Sequence, residues 1–151
     1  MKEQRGFTLV EMIIVIGITA TLAVIATTNY FGYRNRVLID GEGSKAVEYF
    51  REAITRARSQ QDNVTWAIHV VNGATDYYEL ISSSTPVDRI YIGSGVTFTA
   101  TTTSATSTLV GGLTTALLES PINIGLITTN GSLSEEITIG TDGKVTRVKS
   151  Y

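Results

Sequence analysis

Apolar positions in this chain follow three patterns in turn. From Phe7 to Tyr33 they run almost without a break for 27 residues; Glu11 is the one charge inside the run, and the next charge is Arg34. From Ser44 to about Gln60 they recur with helical spacing. Beyond that they gather in short runs separated by Gly, Pro, Asn and Asp. At about 1.5 Å per residue the first run makes roughly 40 Å of helix. The hydrocarbon core of a bilayer is about 30 Å thick. The first run is therefore expected to cross a membrane and project beyond it. A cleaved secretory signal has a shorter apolar region, about 7–15 residues, ending at a small-residue site. The Asn29-Tyr-Phe-Gly-Tyr33 end offers none, so the helix is expected to stay in the mature chain.

The second pattern predicts an amphipathic continuation over residues 34–60. Ala46, Val47, Tyr49, Phe50, Ala53, Ile54 and Ala57 form one stripe, and Lys45, Glu48, Arg51, Glu52, Arg56 and Arg58 stand opposite. That is the spacing of a helix lying on a core. Glu52 and Arg56 make a favourable i,i+4 pair, Glu48 and Glu52 an unfavourable one. Asp40-Gly-Glu-Gly43 is the weak point, because each glycine costs a helix interior about 1 kcal/mol. It predicts a kink or melted turn there, or a full break with Asp40 or Ser44 capping a second helix.

Residues 61–151 read as a β-rich globular domain. Val64–Val71 and Tyr77–Ser82 flank Asn72-Gly73, a hairpin signal. Pro86 is expected to break the chain before short strands at Arg89–Ile92 and Val96–Thr99. Nine of the twelve residues in Thr97–Thr108 are Thr or Ser, which predicts an edge strand or a loop without an apolar face. Leu113–Leu118 is ambiguous, Ile122–Thr129 a strand, and Glu135–Ile139 with Lys144–Lys149 a terminal hairpin around Asp142-Gly143. Val145 and Val148 do not share a face, which admits a bulge. One long helix followed only by strands gives an α+β fold, with the helix packed on an antiparallel sheet.

Charge and composition narrow the function. The chain has a formal net charge of −2, and removing residues 1–6 leaves 10 Lys+Arg against 13 Asp+Glu. No basic excess calls for nucleic acid as the main partner. With no cysteine there is no thiol nucleophile or disulfide framework. The one histidine, His69, lies in a strand pattern and reads as a hydrogen-bonded sheet residue. No phosphate loop, calcium loop or zinc constellation is present, so no enzyme activity, cofactor or metal is expected. Positive charges do not orient the span, since Lys2 and Arg5 precede it and Arg34 and Arg36 follow it. Taken alone, Glu11 is balanced between two readings. It either snorkels one turn from the helix start, near the positive end of the dipole, or has a functional role.

The string Arg5-Gly6-Phe7-Thr8-Leu9-Val10-Glu11 ahead of a long apolar helix resembles the class III signal of type IV pilins and type II secretion pseudopilins. The resemblance implies a leader over residues 1–6 and a filament-core helix over 7–33. It implies cleavage by a prepilin peptidase between Gly6 and Phe7, and N-methylation of Phe7. It also implies that Glu11 pairs with the amino terminus of a neighbouring subunit. Buried opposite charges from adjacent chains would each relieve the other's burial penalty. The implied topology is a single pass through the inner membrane, leader in the cytoplasm and β domain outside, followed by a place in a filament. The implied partners are other pilin subunits and an inner-membrane assembly platform. Farther along, Ala46–Arg58 leading into Val64-Thr-Trp-Ala-Ile68, and Ile137–Val145, resemble the H-type minor pseudopilins (GspH/FimT-like). The family often has proline where this chain has Thr28. Some FimT-like minor pilins bind DNA through a basic C-terminal strand. Lys144, Arg147 and Lys149 resemble that feature loosely, against the simpler reading of a charged, solvated hairpin edge. The alternative from another class is a membrane-anchored binding module that never polymerises.

Overall fold

A computed structural model describes residues 7–59, 64–109 and 118–150. Gly6, residues 61–63, Gly111-Gly112 and most of Leu113–Leu118 lie outside the described residues. The chain divides into two units, Met1–Arg34 and Asn35–Tyr151, and a single helix, α1 (Leu9–Arg58), contributes to both.

In the first unit α1 has no inner face. Every residue from Phe7 to Arg34 is exposed. The threonines in the run satisfy their own hydroxyls: those of Thr19, Thr21, Thr27 and Thr28 donate to the carbonyls of Val15, Gly17, Ala23 and Val24 at 2.7–2.9 Å. A hydroxyl bonded back to its own helix can be carried into an apolar medium without an unmade hydrogen bond. Among the described residues, α1 is the one helix long and apolar enough to cross a membrane.

In the second unit α1 is amphipathic as expected. Ala46, Tyr49, Phe50, Ala53, Ile54 and Ala57 are buried, joined by Ile39, and Val47 stands at the margin. Phe50 and Tyr49 pack on Tyr78 with ring centroids 5.2 and 5.1 Å away. Glu52 and Arg56 meet at 2.5 Å on the outer side. The expected melted turn or full break at Asp40–Gly43 does not occur; α1 is continuous there. Packing outweighs propensity here. A methyl group on Gly43 would overlap the Glu135 carboxylate and the Arg147 guanidinium, so this glycine permits close approach of the sheet.

Two antiparallel sheets receive the helix. One holds β1 (Trp66–Val71), β2 (Tyr77–Ser82), β3 (Thr85–Tyr91) and β5 (Ala105–Leu109) in the order β3-β2-β1-β5. The other holds β4 (Val96–Phe98), β6 (Ile122–Thr128), β7 (Ser134–Ile139) and β8 (Val145–Ser150) in the order β4-β6-β7-β8. This is the expected α+β architecture. β1 does turn into β2 after Asn72-Gly73, through a loop over residues 72–76 rather than a two-residue turn, and this loop also ties the sheets together. The Asn72 amide donates to the Thr99 and Thr102 carbonyls at 3.0 and 2.7 Å. The Asp76 carboxylate accepts from the Thr97 hydroxyl and the Phe98 N–H at 2.5 and 2.7 Å.

Three expectations about the strands are corrected. Pro86 does not break the chain. It lies inside β3, a sheet edge, where a missing N–H is tolerated. The strand starts early because Ser83 and Ser84 both take positive φ (46° and 74°) and close a two-residue hairpin. The terminal hairpin has no bulge. β7 and β8 pair in continuous register from Ser134↔Ser150 to Ile139↔Val145, and Val148 points outward while Arg147 takes the inward place. The Thr/Ser run does supply an edge strand, β5, and it contributes to the interior as well. Thr102 and Ser107 are buried, the Thr102 hydroxyl donating to the Gly125 carbonyl and accepting from its N–H at 3.0 and 2.7 Å.

Candidate assembly site

The start of α1 is a reciprocal cap. The Glu11 carboxylate accepts from the N–H and hydroxyl of Thr8, both at 2.8 Å, and the Glu11 N–H donates to the Thr8 hydroxyl oxygen at 3.2 Å. This is a capping box, Thr-x-x-Glu, and it satisfies donors that every helix start leaves open. Glu11 is therefore neither a stray charge nor only a snorkelling one. It holds the first turn, and its Oε1 makes no bond among the described residues. Phe7, which directly precedes the cap, is 81% exposed. The signal was present in the sequence as Thr8-Leu-Val-Glu11, the same spacing that Ser44 lacks.

The basic residues near the C-terminus are not equivalent. Arg147 grips the buried Glu135 through both carboxylate oxygens. It also donates to the Ser44 hydroxyl at 3.0 Å and to the Asp40 carbonyl and carboxylate at 3.1 and 3.0 Å. Lys149 pairs with Asp40 as well. Lys144 stands apart in the β7–β8 turn, its N–H donating to the Asp142 carboxylate. The structure thus brings Arg147 and Lys149 together as a clamp between β8 and α1. Glu135 was the missed member. It shares a strand face with Ile137 and Ile139, and that spacing marks a buried carboxylate.

A second ionic cluster lies on the other sheet. Glu79 accepts from the His69 ring at 2.8 Å and from Arg89 at 2.7 Å, and Arg89 lies over the Tyr77 ring at 4.4 Å. Burial alone would raise the Glu79 carboxyl, but these hydrogen bonds and the Arg89 charge hold it below the usual carboxylate range. His69 is therefore a bonded sheet residue, as its strand setting suggested. Among the described residues, no three His, Asp or Glu side chains gather as a metal would require.

The comparisons bear on the amino-terminal segment first. Residues 1–27 match the family model described as the prokaryotic N-terminal methylation motif. Two fimbrial proteins of Pseudomonas aeruginosa are 34% identical to this chain over 91 residues, 60% of the chain. The chain spans about half the length of the curated relatives it matches, 48%. No solved structure matches. These relatives are named as fimbrial proteins and not as enzymes. The chain is thus similar to fimbrial proteins and carries the prokaryotic N-terminal methylation motif at the head of its apolar helix.

Proposed function

We propose that this chain is a prepilin whose product is a structural filament subunit, a pilin or minor pseudopilin. Cleavage between Gly6 and Phe7 frees an α-amine with a reference pKa near 7.7–8.0, mostly cationic at neutral pH. Methylation of Phe7 leaves that charge in place. Glu11 then has two roles: one oxygen caps its own helix, and the other is available to the amino terminus of a neighbour. Helices over 7–33 leave the bilayer by exchanging apolar contact with lipid for apolar contact with one another, so packing and the Glu11 pair decide the balance. The observation that carries this reading is the all-round exposed apolar helix headed by the methylation motif, beside a second unit that closes its own core.

Gly6→Ala tests it. The variant should accumulate as uncleaved precursor in the inner membrane. The parent chain should yield filaments whose subunits begin at a methylated Phe7 by mass spectrometry. A native chain that still begins at Met1 and never joins a filament would refute the proposal.

A further inference from the structure

We propose that the groove between α1 and β8 receives the β3 edge of a second copy of this chain, so that successive 35–151 units meet head to tail. The proposal rests on the filament-subunit reading and adds a contact outside the apolar helix.

Two of the four terminal strands, β3 and β8, meet opposite flanks of the same helix. Tyr49 donates its hydroxyl to the Asp88 carbonyl of β3 at 3.1 Å, and Glu42 lies against Gly93 just beyond that strand. Asp40 and Ser44 instead meet Arg147 of β8. At 3.6 residues per turn the stripe of 40, 44, 47 and 51 stands roughly opposite that of 42 and 49. In sheet order β3 and β8 are both terminal strands. One unit therefore offers β3 on one side of the helix and β8 on the other. Such a pairing is heterologous, and repeated it gives an open helical array rather than a closed dimer.

The two surfaces complement each other. The groove is a hollow of about 390 Å³ lined by Ser44, Val47, Glu48, Arg51, Val145 and Arg147. Its two half-buried valines make an apolar floor, and on its rim the Arg51 guanidinium stands beside Glu48, Arg147 being already committed to Glu135 and Asp40. The β3 edge presents Val87, 52% exposed, next to Asp88. Arg89 is already committed to Glu79, so the charge this edge offers a partner is the carboxylate of Asp88. Val87 fits the valine floor and Asp88 meets Arg51.

The absence of native cysteine makes the test clean. Arg51→Cys and Asp88→Cys are introduced together in the full chain, filaments are sheared off, and the sample is oxidised. A disulfide requires the two Cα atoms within about 7 Å. The expected result is a reducible ladder of dimers, trimers and higher multimers, absent from either single variant. Normal filaments that give no cross-link, or only dimers, overturn the interface and leave the subunit reading standing. A parent chain that forms no filaments overturns the subunit reading instead. As a second measure, Arg51→Asp and Asp88→Arg should each lower the amount of filament several-fold, and the pair should restore it. Failure of the pair to restore it counts against the contact.

Discussion

The two halves of α1 share one backbone and have opposite relations to their surroundings. Residues 9–34 are apolar on every side and bury nothing within the chain, whereas 35–58 are apolar on one stripe and bury all of it but its margin at Val47. A helix that is hydrophobic all round belongs in lipid or among other helices. A striped one belongs on a domain. The threonine hydroxyls of the first half bond back to their own helix and need no outside partner. The first half is thus built to change its environment, the second to keep it.

Substituting aromatics in the two halves gives the largest contrast. Phe50→Ala empties a fully buried site between Tyr49 and Tyr78 and should cost about 3–5 kcal/mol of stability. Phe31→Ala removes an exposed ring and should stay within about 0.5 kcal/mol in the same measurement. Urea unfolding of the full chain in detergent, followed by the fluorescence of the single, buried Trp66, reads both. Equal losses would erase the distinction between the halves.

The clamp comes next. Arg147→Ala leaves the Glu135 carboxylate buried without its partner and should cost about 3 kcal/mol. Arg51→Ala, at the open groove, should cost no more than about 0.5 kcal/mol. A small loss for both would mean that the Arg147 pair contributes no more than a surface ion pair.

How much of this was legible follows from sequence distance. The apolar run, the stripe from Ala46 to Ala57 and the Thr8–Glu11 cap are local patterns, and the first two were readable directly. The cap was equally local, since Thr8-Leu-Val-Glu11 carries the capping-box spacing. The Arg147–Asp40 contact joins residues 107 apart in sequence, and nothing near either residue announces it. The same clamp decides Gly43, which looked like a helix breaker because its neighbour across the sheet was unknown. Ser83-Ser84 was overlooked as a turn because positive φ usually selects Gly or Asn, and two serines carry no such mark.

The glycines turn that lesson into a smaller test with a change of sign. Gly41→Ala meets nothing within 4 Å and should stabilise the helix by up to about 1 kcal/mol. Gly43→Ala gains the same propensity but drives a methyl into Glu135 and Arg147, for a net loss of about 1–3 kcal/mol. Two stabilising outcomes would show that the helix is weak there for want of propensity alone, as the sequence suggested.

Tyr78 gives the smallest effect. Its ring is fully buried, and its hydroxyl has no hydrogen-bond partner among the described residues. Burial pushes that hydroxyl well above the usual tyrosine range, helped by the nearby Glu42 carboxylate. Burying an unbonded hydroxyl is unfavourable, so Tyr78→Phe should be neutral or stabilising by up to about 1 kcal/mol at pH 7. The pH dependence follows from the raised value. In the folded chain Tyr78 stays neutral past pH 10, while the unfolded chain begins to ionise near pH 10. The contribution is therefore full below about pH 10 and is lost as pH rises beyond it. A phenylalanine at this position cannot ionise in either state, so the variant should lose less stability in alkali than the parent. Urea midpoints at pH 7 and above pH 10 compare the two. A clear loss at pH 7 would place a bonding partner on that hydroxyl and make Tyr78 part of the same buried polar tie that Arg147 and Glu135 make at the other flank of the helix.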